Sequence, residues 1–294
     1  MFPRPITHVA GNSNRPVFLT GAPRCGSSWV GEVLGTCTDV RYVYEPFNHR
    51  WMPALRGQLP HFTYLDDLTE ASSVIEQTGR NAFLGLQSRK QLARAAYRRY
   101  WRAATHNASR VIIKDPTASL MSAWIAKQFN AQVLIIMRHP CGFASSLDAL
   151  DWKLGVNSLL RQDALMRDYL ENFREALNQA RSDKWLTRGA IWGAIHTVFS
   201  HQLECHPNWY LLRYESLCAD PVGQFETLTE NTKLELNPLT REKIAALSAT
   251  DSTDSGSTRR NSRLMPDIWR KRMSPGEIDA VMGMVAEFGL GYYR

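Results

Sequence analysis

Cysteine is scarce and scattered in this chain: Cys25, Cys37, Cys141, Cys205 and Cys218 make five in 294 residues, an odd set without a C-x-x-C pair. That excludes a disulfide framework and a structural zinc site of ordinary spacing, and it fits a reducing compartment. No run of about 18 apolar residues occurs, so no membrane-spanning helix is expected. No charged segment followed by an apolar stretch opens the chain as a secretion signal would. A soluble, cytoplasmic protein is the expectation. Internal repeats and low-complexity domains are lacking as well. What is present is 44 % hydrophobic, enough for a sizeable core. Strand patterns at Val17–Leu19, Arg41–Tyr44, Val111–Lys114, Val133–Met137 and Tyr210–Arg213 alternate with helical stretches. This predicts an α/β fold with a central parallel sheet flanked by helices.

The segment from Pro16 to Trp29, Pro-Val-Phe-Leu-Thr-Gly-Ala-Pro-Arg-Cys-Gly-Ser-Ser-Trp, is the most informative. A buried strand runs into a turn bounded by Gly21 and Gly26, and a helix begins at Ser27 and Ser28. Unpaired backbone N–H groups and the positive end of the helix dipole converge in such a turn, which makes it an anion cradle. The spacing is that of a P-loop, yet Ser27 stands where the nucleoside-triphosphate motif requires lysine. The cation lies inside the loop, at Arg24. A kinase or ATPase is thereby disfavoured, while a phosphate site is retained.

Pro23-Arg24-Cys25-Gly26-Ser27-Ser28-Trp29 resembles the 5′-phosphosulfate loop of sulfotransferases that use 3′-phosphoadenosine 5′-phosphosulfate (PAPS), departing only at Cys25, where serine is usual. Arg138 at a strand end, followed by Ser146 in the next helix, is similar to that family's 3′-phosphate grip. An arginine fork and a hydroxyl suit one phosphate. Lys114 of Lys114-Asp115-Pro116 matches a family lysine beside the transferred sulfuryl group. Tyr214 of Arg213-Tyr214-Glu215 matches a tyrosine that contacts adenine, and Trp269-Arg-Lys-Arg-Met-Ser274 resembles the family's C-terminal tryptophan block. The resemblance spans nearly the whole chain and implies one P-loop-type sulfotransferase domain over residues 1–294. It implies PAPS as donor, PAP as product and no metal.

Transfer of a sulfuryl group needs a cation at the leaving oxygen, donors for the equatorial oxygens and a base for the acceptor hydroxyl. Arg24 suits the first role. The loop amides with Ser27 and Ser28 suit the 5′-phosphate, and Lys114 the sulfuryl or bridging oxygen. Trp29 is expected to stack on adenine or to pack helix against sheet. One of Arg259, Arg260 and Arg263 is expected to assist at the 3′-phosphate, beyond a polar loop (249–258) that reads as a lid or a plain surface loop. Family members acting on small phenols place a histidine two positions after the strand lysine; here Pro116 stands there. Glycan and tyrosylprotein sulfotransferases instead often use a glutamate about twenty residues after the loop cation, and Glu45 matches. Aromatic neighbours are expected to raise its pKa. His49 and His139 are the next candidates.

The net charge of +7 fits a polyanionic ligand, without requiring nucleic acid. Much of it lies in residues 89–102, read as one amphipathic helix with Leu92, Ala96 and Tyr100 on its apolar face. Arg94, Arg98 and Arg102 then form a solvated face, or a contact for an acidic acceptor or a peripheral membrane surface. Residues 47–106 and 148–188 carry no cofactor motif and are expected to be insertions that build the acceptor pocket. The acceptor is expected to be a carbohydrate, glycolipid, natural product or other alcohol. A non-catalytic PAPS- or nucleotide-binding protein and a P-loop kinase are the alternatives.

Overall fold

The computed structural model describes residues 15–249 and 265–293, apart from positions 67, 99 and 106. Five strands form one parallel sheet: β1 (Val17–Gly21), β2 (Val40–Tyr44), β3 (Arg110–Lys114), β4 (Gln132–Met137) and β5 (Tyr210–Arg213). All five expected strands are present, and β5 has the expected bounds. The spatial order is β2-β3-β1-β4-β5.

Near-continuous apolar strands are what a parallel sheet covered on both faces requires. Side chains alternate between the faces with the strand period of two. Val17, Leu19, Ile112, Leu134 and Ile136 pack on Val30, Val33 and Leu34 of α1 (Ser27–Leu34). Phe18, Val111, Ile113, Val133 and Ile135 face the opposite layer, with Trp124, Trp192 and Phe199.

Helix starts fix the layers. Ser88 and Gln91 form a reciprocal capping box at the start of α2 (Arg89–Tyr97). His139 caps α3 (Pro140–Asp148) by accepting from the Cys141 amide at 3.1 Å, with Pro140 in the first turn. Asp183 accepts from the Trp185 and Leu186 amides to start α4 (Lys184–Cys205), which is buried along most of its length. α5 (Pro275–Ala286) packs on α4, and its residues approach the helix at Gly189.

Parallel pairing aligns the strand ends: Tyr44 lies opposite Lys114, Leu19 opposite both Lys114 and Leu134, and Met137 opposite Arg213. From β1 the chain first builds one edge and then the other, so β1 sits at the topological switch point, where the carboxyl ends of strands open a crevice for ligands. The stretch 89–102 is not one helix: α2 stops at Tyr97, and a separate short helix covers Trp101–Thr105. Among the described residues, no helix is long and apolar enough to cross a membrane.

Candidate active site

The turn after β1 depends on backbone conformations that L side chains rarely adopt. Gly21 has φ +146°, Arg24 φ +66° and Gly26 φ +98°. A Cβ at Gly26 would stand 2.6 Å from the Tyr214 ring, so the turn is closed on that side by β5's neighbour. No carbonyl among the described residues accepts from the amides of Gly26 or Ser28, as expected for a helix start that points its donors outward. Cys25 is buried beneath the turn, and burial raises its thiol pKa, so it contributes its backbone and apolar bulk rather than a thiolate.

Around this turn the structure gathers Arg24, Ser146, Arg138, Tyr214 and Trp29, all chosen from sequence. Arg24 Nε donates to Ser146 Oγ at 3.1 Å. Arg138 Nη1 donates to the Arg24 carbonyl at 3.0 Å, and Nη2 to that of Met265 at 3.3 Å. The Arg138 guanidinium lies 4.5 Å from the centre of the Tyr214 ring, while its Nε is buried without an acceptor among the described residues. Gly142 leaves the space it occupies: a Cβ there would stand 2.8 Å from that Nε. Trp29 is buried and edge-on to Tyr214 and Phe225, at centroid distances of 6.5 and 6.0 Å, so it packs helix against neighbouring rings while also lining the cavity. Arg259, Arg260 and Arg263, with the polar loop before them, lie outside the described residues.

At the ends of β2 and β3, Lys114 Nζ stands 2.5 Å from Glu45 Oε1. Both are buried. Glu45 adopts φ +42° and is fixed there by its amide, which donates to the Lys114 carbonyl at 2.7 Å. Its other oxygen accepts from Asn48 Nδ2 at 2.8 Å and Trp51 Nε1 at 3.2 Å. The expected rise in its pKa is not found. Burial does push the carboxyl up, but the Lys114 ammonium and the hydrogen bonds outweigh it and hold Glu45 below the usual carboxylate range. Asp115, fully buried, accepts from the Phe47 amide at 2.7 Å and from the Thr117 amide at 2.9 Å, which ties the turn after Glu45 to the end of β3. Burial and the nearby Glu45 charge push Asp115 up to about 7.

These groups share a cavity of about 600 Å³. It follows the sheet: Tyr44 at the end of β2 and Glu45 after it, Lys114 at the end of β3, the Arg24–Trp29 turn after β1, Arg138 after β4 and Tyr214 after β5. Arg94 of α2 and Arg98 just after it line the cavity rather than a solvated face; the buried face of α2 is Gln91, Leu92 and Ala95, whereas Ala96, expected on the apolar face, is exposed. Arg94 lies 4.0 Å from the Tyr44 ring centre, and Arg98 stands 4.0 Å from Glu32. His49 lines the cavity too. His139 does not: it caps α3, stacks on Trp269 at 4.6 Å, and burial lowers its pKa to about 4. Among the described residues, no group of three or more His, Cys, Asp or Glu is placed to hold a metal ion.

A family model described as "Sulfotransferase family" matches residues 16–238, from β1 through the strands and helices that carry this geometry. The chain belongs to the sulfotransferase family. It is an enzyme, a sulfotransferase, and the kinase alternative falls away. Among solved structures it is similar to the sulfotransferase domain from the Synechococcus PCC 7002 olefin synthase, at 12 % identity and TM-score 0.48, covering 98 % of this chain and 100 % of that one. It is also similar to the sulfotransferase domain from the curacin biosynthetic pathway, at 14 % identity and TM-score 0.46, covering 95 % and 99 %. Mouse sulfotransferase SULT7A1 complexed with PAP matches at 15 % identity and TM-score 0.47, covering 93 % and 84 %. No curated protein matches the chain. At such identities the assignment rests on the family model.

The sulfotransferase cavity holds residues that the sequence did not single out as site residues: Asn48, Trp51, Trp152 and Lys153 on its walls, and Asp115 beneath them. Asn48 and Trp51 lie three and six positions after Glu45, a local signal that was available. Trp152, 5.9 Å from the Arg24 guanidinium, is brought there only by tertiary folding.

Proposed function

We propose that this sulfotransferase uses PAPS as donor and sulfates a hydroxyl acceptor by in-line transfer, with Glu45 as the base. The observation that carries this is the Lys114–Glu45 contact of 2.5 Å at adjacent strand ends, beside a turn that offers Arg24, Arg138 and outward-facing amides to an anion. The residues fit the donor: Arg138 keeps one buried nitrogen without an acceptor among the described residues, and the glycine turn leaves the close approach that a phosphate requires.

In this reading Arg138 and Ser146 take the 3′-phosphate. The loop amides with Ser27 and Ser28 take the 5′-phosphate, and Tyr214 and Trp29 border the adenine. Arg24 and Lys114 stabilise charge at the leaving oxygen and on the sulfuryl group. PAPS supplies the sulfuryl group: the acceptor oxygen bonds to sulfur as the bond from sulfur to the 5′-phosphate oxygen breaks, leaving PAP. Glu45 takes the acceptor's proton. Paired with Lys114 it is a weak base; a negative group that draws the ammonium away restores its basicity. The acceptor enters over β2 and β3, against walls from residues 47–106 and 148–188, within a single domain. Glycan, glycolipid and natural-product hydroxyls are the classes to test, in a cytoplasmic setting.

The direct test is incubation with labelled PAPS and a panel of glycans, lipids, phenols and other alcohols. Transfer to at least one alcohol, abolished in Glu45→Gln, supports the reading. Titrations with PAP and with ATP plus Mg²⁺ provide a control, and preference for ATP would remove the donor assignment.

A further inference from the structure

Seven lysines and arginines line the cavity, against two carboxylates, Glu45 and Asp151. The donor reading uses Arg24, Lys114 and Arg138. Of the cations at the opposite end, Arg98 has Glu32 at 4.0 Å. Arg94 has no carboxylate within ion-pair distance among the described residues. It is held by rings instead: its guanidinium carbon lies 4.0 Å from the Tyr44 centroid and 5.1 Å from that of Trp51, and its Nε is buried without an acceptor among the described residues. A guanidinium partly stripped of water and fixed between aromatic walls is an open fork for an oxyanion.

Its position relative to the base narrows the ligand. The Trp51 indole that borders Arg94 also donates from Nε1 to Glu45 Oε2 at 3.2 Å. One side chain therefore spans the gap between the base and the free fork. We infer that Arg94 is an acceptor-specificity residue, binding a carboxylate or phosphate that the acceptor carries within about one sugar ring of the hydroxyl to be sulfated. This rests on the donor reading above and adds the acceptor's chemistry: a hydroxyl compound that is already an anion. The neutral surroundings of Tyr44 and Trp51 favour a planar or ring-bearing framework between the two groups.

The test measures binding to the PAP-saturated protein, which needs no turnover. Three probes share one framework: p-nitrophenyl glucoside, the corresponding glucuronide, and the glucoside 6-phosphate. Titration calorimetry on the wild-type protein is expected to show at least one anionic probe binding about tenfold or more tightly than the neutral glucoside, as a charge-assisted pair would give. The identity of that probe separates a carboxylate from a phosphate acceptor. Arg94→Gln should abolish the preference while leaving PAP affinity unchanged, and Arg94→Lys should restore part of it if the variant charge alone suffices. Equal affinities for the three probes with PAP bound would overturn this inference alone. Loss of PAP affinity in both Arg94 variants, with melting temperature retained, would also overturn it by moving Arg94 into the donor site. Failure of PAP to bind the wild-type protein would overturn the donor reading itself and this inference with it.

Discussion

Arg138, after β4, and Lys114, at the end of β3, are held in opposite ways. On the β1–β4–β5 side, Arg138 is held by the carbonyls of Arg24 and Met265 and by the face of Tyr214, and Arg24 by a serine hydroxyl. None of these contacts is with a carboxylate. On the β2–β3 side, Lys114 and Glu45 take up each other's charge at 2.5 Å, and Arg98 approaches Glu32. On the proposed reading, one end holds the polyanionic donor, while the other stores a proton acceptor beside the cation that restrains it.

The largest effect expected from breaking this division is on turnover. Glu45→Gln should lower the rate by about 10²–10⁴-fold, the usual contribution of a general base, with PAP affinity intact. A comparable fall in PAP binding would show that the two ends are not separable. Next, Arg138→Ala should weaken PAP binding by about 1.5–3 kcal/mol, roughly 10- to 150-fold, as loss of charge-assisted hydrogen bonds does. Calorimetry with unchanged affinity would remove Arg138 from the donor end. Gly26→Ala should destabilise by about 1–3 kcal/mol, since φ +98° is strained for alanine and the new methyl meets Tyr214. A melting temperature equal to wild type would mean that the turn relaxes freely.

The smallest expected effect sharpens the contrast through pH. His139, on the β4 side, is lowered to about 4 by burial. The unfolded chain then binds the proton more tightly, so this contribution to stability is present above about 6.5 and is lost as pH falls toward 4. Asp115, on the β3 side, is raised to about 7, so the folded state favours the proton; its contribution is full below about 4 and is lost as pH rises through 7. His139→Asn, which keeps a capping side chain, should flatten the acid slope of stability, and Asp115→Asn the opposite one. Denaturation midpoints that follow the wild-type curve in both variants would dismiss these two groups as titrating elements.

Strand positions were legible because a parallel sheet buried on both faces writes itself as short apolar runs, and the glycine turn because its conformation demands glycine. Arg138 and Ser146 were legible as a pair one helix apart, and the structure brings both to Arg24. The surroundings of Glu45 were not. Its pKa is governed by Lys114, 69 positions away in sequence, and local aromatics gave the wrong sign. The choice between a solvated face and a contact surface for Arg94 and Arg98 was not legible for a related reason: periodicity shows that two faces differ, but it does not show what each lies against. Tyr44 and Trp51 turn Arg94 from a solvent charge into part of a wall.

At Glu45 the backbone and the side chain pull in opposite directions. At φ +42° glycine is the amino acid the backbone prefers, and a β-carbon there is a strain of about 1 kcal/mol or more. Glycine at this position would relieve that strain, yet it would leave the buried Lys114 ammonium without its carboxylate, a loss of about 3–5 kcal/mol. The left-handed turn therefore persists because the ion pair it carries outweighs the conformation it demands.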